Sequence, residues 1–276
     1  MRKNIFFLSV ILLLVSLACS LTSTPEPVTS APPVENIHPT FTPIPSFTPE
    51  APTTAAALSS GLTMQSSLAE EAGAEPLYTI KAQIPYLQGS DDVRVQNFNT
   101  YLKQIAQNEI DGFRENTLAY ASTTPIVNGS SLEIQYSVLG QRGDIWSIQY
   151  LIYFYSDGAA HPGHYSISVN YDLANGREIT LDELFLPGSD YLTIIADLCK
   201  ADLTIRDIAF EGFSGGADPL PENYTRWNLS NDGFLVITFD EYQVAPYAAG
   251  AQTVMIPFSQ LQSITNPNGV IPLFTQ

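Results

Sequence analysis

The sequence has 276 residues, enough for one or two domains, with 11 basic and 28 acidic side chains and a formal net charge of −17. This charge excludes nucleic acid and anionic membrane surfaces as electrostatic partners, because their phosphates would be repelled. It permits a cationic partner, and it equally suits the solubility of an exported protein. The 14 Tyr and 14 Phe residues are typical of an aromatic-rich β protein.

The N-terminus has the pattern of a bacterial export signal. A short basic start precedes an apolar stretch over residues 5–17, which is too short for a comfortable membrane span. A small residue, Ala18, then precedes Cys19, which resembles the lipobox of bacterial lipoproteins. We therefore predict a signal peptide over residues 1–18. Acyl chains on Cys19 would hold the protein on the extracytoplasmic face of the cell membrane. An ordinary secretory signal and an uncleaved anchor are the alternatives.

A linker is predicted after the signal. Residues 19–75 are rich in Pro, Thr, Ser and Ala, and Pro removes backbone donors and favours an extended chain. Because few apolar groups offset the cost of ordering, this segment is predicted to be a disordered tether. Residues 76–276 then form the folded domain, and a subdivision near residue 160 is compatible with the pattern.

The folded part begins with a strand and a helix. Residues 77–87 alternate apolar and polar side chains, as a half-buried strand does. Asp91 and Asp92 mark a helix start, and an apolar stripe from Val95 to Phe113 predicts a helix that packs against a sheet. A second helix is predicted from residue 189, with Cys199 as a small core residue on its buried face.

The remaining pattern is mostly β. Further strands are predicted over residues 132–138, 145–155, 165–171, 227–229, 234–239 and 252–258. This order predicts an α+β fold, in which antiparallel β-sheets carry two main helices packed on the sheet.

A loop with two histidines lies in the middle of this domain. His161 and His164 are three residues apart beside Asp157, but no third ligand follows at a useful spacing. We therefore predict no metal, no cofactor and no catalytic residue. We expect His161 to be a buried, hydrogen-bonded residue that holds the loop against Tyr242 or the loop of Tyr247. The alternative is an enzyme acting on cell-wall glycan, or a metal-dependent hydrolase, centred on His161 and His164.

Two adjacent acids later in the chain are a second candidate for chemistry. Asp240 and Glu241 end a predicted strand, where neighbouring side chains point to opposite faces. This alternation argues against a cooperating pair of carboxylates of the kind used in glycoside hydrolysis.

Tyrosines beside these motifs form a candidate binding surface. Tyrosine gives a large contact area at low entropic cost, and an acidic aromatic surface suits a basic protein. Internal packing of the same tyrosines is the alternative. The predicted surface consists of Tyr153, Tyr155, Asp157, His161, Tyr242 and Tyr247.

Three segments resemble the RsiV-type extracellular domain. Residues 153–162 are similar to its Tyr…Gly-Gly-Ala-His-Pro signature, and residues 171–185 to its Asp-Leu-x-(Thr/Asn)-Gly segment. Residues 239–250 are similar to its Phe-x-x-Tyr-x-(Ile/Val)-Ala-Pro-Tyr-x-x-Gly segment. The matching residues here include Gly158, Ala160-His161-Pro162, Asp172-Leu173, Asn175-Gly176 and Ala245-Pro246-Tyr247, whereas Ala159 replaces the family's second Gly.

This resemblance implies a binding function. The family includes anti-sigma-factor ectodomains, one type of which binds lysozyme, and a non-catalytic module that precedes some peptidoglycan deacetylases. It implies an α+β domain whose partner is a lysozyme-like cationic protein or peptidoglycan. No membrane-spanning helix after the signal and no deacetylase domain is expected in the chain, so neither transmembrane signalling nor deacetylation follows from the resemblance.

Overall fold

The computed structural model describes residue 58 and residues 61–275. The predicted signal peptide, Cys19 and the linker up to residue 57 lie outside the described residues. The strands are β1 Thr63–Ala74, β2 Leu77–Gln88, β3 Ser130–Arg142, β4 Ile145–Tyr155, β5 Gly163–Asp172, β6 Arg177–Glu178, β7 Trp227–Leu229, β8 Phe234–Phe239 and β9 Gln252–Pro257. The α-helices are α1 Val93–Ala121, α2 Tyr191–Thr204, α3 Phe258–Leu261 and α4 Ile271–Phe274, with short 3-10 turns between α2 and β7.

The strands form two sheets. Six strands lie in the order β1-β2-β3-β4-β5-β6, and three lie in the order β7-β8-β9. All pairs are antiparallel except β2 and β3, which are parallel. The long helix α1 connects these two strands, and such a crossover is what a parallel pair needs. The predicted α+β class with two main helices is confirmed, and the first sheet is mixed rather than purely antiparallel.

Strand β1 corrects the predicted extent of the linker. Its 12 residues pair with β2 along their whole length, although they fall within the predicted disordered segment 19–75. Most of its side chains are exposed, including Leu68. An edge strand held by backbone hydrogen bonds needs no apolar face, and so its composition gave no strand signal.

Helix α1 packs on the first sheet through its apolar stripe. The carboxylate of Asp92 caps the helix by accepting from the Arg94 N–H at 2.8 Å. Phe98 and Leu102 are fully buried against strand residues such as Ile134. The hydroxyl of the buried Tyr150 on β4 donates to the Leu102 carbonyl at 2.9 Å, which ties the helix to the centre of the sheet.

A second core forms between α2 and the three-stranded sheet. Ile195, Ala196, Cys199 and Leu203 give α2 the predicted buried face. Burial raises the pKa of the Cys199 thiol to about 12, so the thiol stays neutral at physiological pH. Its predicted role as a small core residue is confirmed by its full burial.

Hydrogen-bonded polar side chains join the two sheets. We call Ser147, Asn170 and Asn228 the polar seam, and all three are buried. The Ser147 hydroxyl donates to Asn170 Oδ1 at 2.7 Å and accepts from Asn228 Nδ2 at 3.0 Å and from the Leu229 N–H at 2.9 Å. Asn228 Nδ2 also donates to the Ile148 carbonyl at 3.0 Å. The seam therefore links β7 to β4 and β5 through hydrogen bonds.

The backbones come close beside the seam. An added Cβ at Gly140 would lie 2.3 Å from the Leu229 carbonyl oxygen, so only glycine fits here. The β3–β4 register shifts between Val138 and Gly140, and this bulge bends β3 where β7 crosses it. Strand β3 continues past the bulge to Arg142, so only Gly143 and Asp144 separate it from β4.

We predict that Asn228→Ala lowers the free energy of unfolding by about 1–3 kcal/mol, because it removes the bonds from Asn228 Nδ2 to the buried Ser147 hydroxyl and to the Ile148 carbonyl. The measurement is urea unfolding of the full chain. Asn108→Ala on the exposed face of α1 is the control, with an expected change within about 0.5 kcal/mol. Equal effects of the two substitutions would show that the seam does not hold the sheets together.

Candidate functional site

The β4–β5 loop and the β8–β9 connection meet through an aromatic cluster. The His161 ring stacks on Tyr247 with the ring centroids 3.7 Å apart and the planes at 25°. Tyr242 lies beside Tyr247 at a centroid distance of 5.7 Å. We call His161, Tyr242 and Tyr247 the aromatic platform. The sequence prediction placed all three on one surface, and the structure brings them into contact.

Hydrogen bonds fix the platform. The Tyr247 hydroxyl donates to the Pro162 carbonyl at 2.7 Å. His161 Nδ1 lies 2.9 Å from the same carbonyl, and its Nε2 lies 3.4 Å from the Tyr242 hydroxyl. The tautomer with the proton on Nδ1 satisfies both contacts, since Nδ1–H then donates and Nε2 accepts.

His161 and Tyr242 are exposed and Tyr247 is half-buried, which corrects the prediction of a buried histidine. The predicted partners Tyr242 and Tyr247 are the observed ones, but the His161 side chain lies on the surface. Tyr242 is 56% exposed and has a φ of +65°, in the left-handed region that costs a residue with a Cβ some strain. The surrounding contacts thus hold a large aromatic ring in solvent rather than in the core.

His164 forms a separate contact with the same connection. Its Nδ1 lies 2.7 Å from Glu241 Oε1, and its backbone N–H donates to Glu241 Oε2 at 3.3 Å. The imidazole also stacks on Tyr153, with centroids 5.6 Å apart. The side chain of Glu241 is 10% exposed, so this pair is partly shielded from water. It sets the position of the residue that precedes Tyr242.

Asp240 contacts the same strand two residues further on. It accepts from the N–H and hydroxyl of Ser166 at 3.1 and 3.2 Å and forms an ion pair with Arg226. Burial raises the pKa of Asp240, and Arg226 acts in the opposite direction. The prediction that Asp240 and Glu241 point to opposite faces is wrong, because both lie beyond the end of β8 and both contact one face of β5.

Asp157 does not belong to the platform. It is buried, and its carboxylate accepts from the backbone N–H groups of Val127 and Asn128. The Val127 N–H in particular holds the pKa of Asp157 below its usual value. This residue therefore anchors the turn before β3 to the end of β4. Asp157 is therefore not available as the acid of a catalytic centre with His161 and His164.

The remaining predicted residues lie on β4. Tyr153 is 39% exposed beside His164, and Tyr155 is half-buried at the end of the strand opposite Ser131. Sequence reasoning missed the pairing of Glu241 with His164. The two residues are 77 positions apart, and no local pattern links them.

No group of three or more His, Cys, Asp or Glu side chains within residues 58 and 61–275 is arranged to hold a metal ion. No helix in that part of the chain combines the length and apolar character needed to cross a membrane.

The basic side chains of the domain are largely neutralised. Six of them form ion pairs with Asp or Glu, and these are Arg94, Arg114, Arg177, Lys200, Arg206 and Arg226. Since acids outnumber bases 28 to 11 in the sequence, the surplus charge on the domain surface is negative.

Comparison with known proteins places the β8–β9 connection in a recognised segment. Residues 182–259 match the family described as "Protein of unknown function (DUF3298)". This stretch of the chain resembles a DUF3298 domain. This domain is found in PdaC and in RsiV-like proteins, so the predicted resemblance is confirmed. Glu241, Tyr242 and Tyr247 lie within the DUF3298 segment, whereas His161 and His164 precede it.

The chain is similar to two curated proteins. It is 26% identical over 174 residues to the peptidoglycan-N-acetylmuramic acid deacetylase PdaC of Bacillus subtilis, covering 61% of this chain and 36% of PdaC. It is 31% identical over 114 residues to an esterase of Mycobacterium tuberculosis, covering 40% of this chain and 48% of the esterase. The chain therefore spans less than half the length of either relative.

A solved structure shares the fold. A DUF3298 family member from Bacteroides fragilis superposes with a TM-score of 0.59 at 16% identity, covering 78% of this chain and 98% of that one. At this identity the likeness shows the fold.

We predict that acid weakens the anchor formed by Asp157. A carboxyl group with a lowered pKa in the folded state contributes its full stability above its unfolded pKa, and loses it as the pH falls through the folded pKa. Asp157→Asn should therefore lower the urea midpoint at neutral pH, and its difference from the wild type should shrink below about pH 4. Asp91→Asn, at an exposed position, should leave the midpoint unchanged. A difference that stays constant down to acid pH would contradict this account.

Proposed function

We propose that the protein is a surface-anchored lipoprotein whose DUF3298 domain binds a cationic protein such as lysozyme, or another cell-wall-associated ligand, without catalysis. The aromatic platform carries this proposal. Its His161 and Tyr242 side chains are exposed, its Tyr247 is half-buried and held by a hydrogen bond, and it lies on an acidic domain.

The platform has the physical properties of a protein-docking site. Tyrosine side chains lose little entropy on binding and give a large amphipathic contact area. Tyr247 is already fixed by its hydrogen bond to Pro162 and by its stacking on His161, so little ordering cost falls on the binding step. Tyr242 projects beside them with more than half of its surface exposed.

Charge supports a basic partner. A net charge of −17 attracts a cationic protein over the Debye length and raises its association rate. Because most basic side chains of the domain already pair with acids, a partner's Lys and Arg residues meet few repelling groups.

The comparisons support a cell-wall setting. PdaC carries a peptidoglycan activity in its name. The sequence resemblance to the RsiV-type domain, one type of which binds lysozyme, is the reason for naming lysozyme as the partner to test. The lipid anchor on Cys19 and the disordered tether rest on the sequence pattern, and together they would place the domain outside the cell membrane.

An enzyme is the second candidate, and one observation favours it. The Glu241 carboxylate bonded to His164 Nδ1 is an arrangement that orients a general base. Against it, no hydroxyl or thiol group donates a hydrogen bond to the His164 imidazole among the described residues, and Asp157 is bonded to Val127 instead. Binding is therefore the function that the geometry supports best.

We predict that the purified full chain binds lysozyme at low ionic strength, and that added salt weakens the affinity. Tyr247→Ala should weaken it by about tenfold or more, because it removes a central aromatic contact and the stacking partner of His161. Surface plasmon resonance gives the dissociation constants. Tyr86→Ala on β2, a half-buried tyrosine away from the platform, is the control and should bind like the wild type.

Three outcomes decide between the candidates. Absence of lysozyme binding at low salt, or full binding by the folded Tyr247→Ala variant, rules out docking of lysozyme on the platform. Hydrolysis of peptidoglycan that disappears in a folded His164→Ala variant would establish the enzyme instead.

A further inference from the structure

A cleft lies between the C-terminal half of α1 and strands β3 to β5. Its volume is about 450 Å³, within the range of small-molecule sites. It is lined mainly by apolar and aromatic groups, with polar groups at intervals. The side chains that matter for its chemistry are Glu109, Phe113, Tyr120, Phe154 and Tyr165.

Aromatic rings from the helix and the sheet form its walls. Phe154 and Tyr165, on neighbouring strands, have centroids 6.1 Å apart with planes at 58°. Phe154 lies across Gly163, where an added Cβ would stand 2.6 Å from the ring, so glycine makes room for this orientation. Phe113 on α1 makes an edge-to-face contact with Tyr78, in which the ring centroids are 6.1 Å apart.

A carboxylate is the charged group of the cleft. Glu109 accepts a hydrogen bond from the Tyr165 hydroxyl, which joins α1 to β5. A carboxylate has about four acceptor positions, so others remain for a ligand. Among the described residues that line the cleft, none is Lys, Arg or His. The nearby Arg114 instead pairs with Glu71 and Asp111.

The helix itself adds to this negative character. The cleft follows α1 toward its C-terminal end, which carries the negative pole of the helix dipole. No basic residue occupies the last turn of α1 in this described segment. A cation near Thr117 and Tyr120 would therefore be favoured.

Gly112 keeps the cleft open. Glycine in the middle of a helix lowers helix stability by about 1 kcal/mol relative to alanine, so its presence here suggests a structural or functional role. Gly112 lines the cleft, and an added Cβ there would meet no atom within 4 Å. The chain thus leaves empty a position where any larger side chain would project into the cleft.

We propose that this cleft binds a small organic cation with an alkylated ammonium group. Aromatic faces attract such a cation through their quadrupoles, and Glu109 balances its charge in a partly desolvated site. The site is independent of the proposed protein docking. Phe154 and Tyr165 alternate with Tyr153 and His164 along β4 and β5, and so they face the other side of the sheet.

The test is isothermal titration of the full chain with choline chloride. The matched probe is 3,3-dimethylbutan-1-ol, which has the same shape with carbon in place of the charged nitrogen. We expect saturable binding of choline and at least roughly tenfold weaker binding of the neutral probe. N-acetylglucosamine is the third probe, because aromatic walls also stack on sugar rings.

Two variants assign the binding to the cleft. Glu109→Gln should weaken choline by about tenfold or more, whereas Glu115→Gln, an exposed acid on the same helix outside the cleft, should change it less than about twofold. Gly112→Leu should abolish binding by filling the cleft. The Cβ of this leucine meets no atom within 4 Å and the substitution removes a mid-helix glycine, so circular dichroism should show a folded protein.

The results that overturn the proposal are equally specific. Choline and its neutral analogue binding alike would remove the cation requirement. Saturable binding of N-acetylglucosamine without choline would make the cleft a sugar site. Absence of choline binding, or its survival in the folded Gly112→Leu variant, would show that the cleft is not a cation site.

Discussion

One face of β5 holds the described domain together. Every second residue along it, His164, Ser166, Ser168 and Asn170, is hydrogen-bonded to the C-terminal part of the chain. His164 and Ser166 contact Glu241 and Asp240 beyond the end of β8, and the other two contact β7. Since strand side chains repeat with a period of two, these contacts share a single register. A slip by one residue would turn all four polar groups into the apolar core under α1.

This constraint explains why polar side chains sit in the interior. A buried amide or hydroxyl costs free energy unless it is paired, and the polar seam pairs its members across three strands. Apolar side chains could join the sheets in several relative positions. Hydrogen bonds depend on distance and direction, so they allow only one. The position of the aromatic platform is fixed by the same kind of contact. Glu241, which precedes Tyr242, is hydrogen-bonded to the same face of β5.

The sequence predicts those parts of the fold that depend on local pattern. The bounds of β4 and β8 follow from alternation and turn residues, and α1 from its cap and stripe. Strand β1 and the parallel β2–β3 pair depend on partners distant in the chain, which composition does not reveal. The residues of the platform were predicted from their types. The burial of Asp157 and the exposure of His161 were not predicted, because a polar side chain can be satisfied equally by water or by a polar group of the protein.

The two candidate sites lie on opposite faces of β4 and β5 and meet at the loop between these strands. Tyr120 reaches that loop from α1, where its hydroxyl lies 3.2 Å from a Cβ added at Gly158. Coupling between the sites would need two arrangements of the loop with similar free energy. Asp157 fixes one end to Val127, and His164 fixes the other to Glu241. With both ends held, a ligand in the cleft has little loop motion to transmit, and the fold favours two sites that act independently.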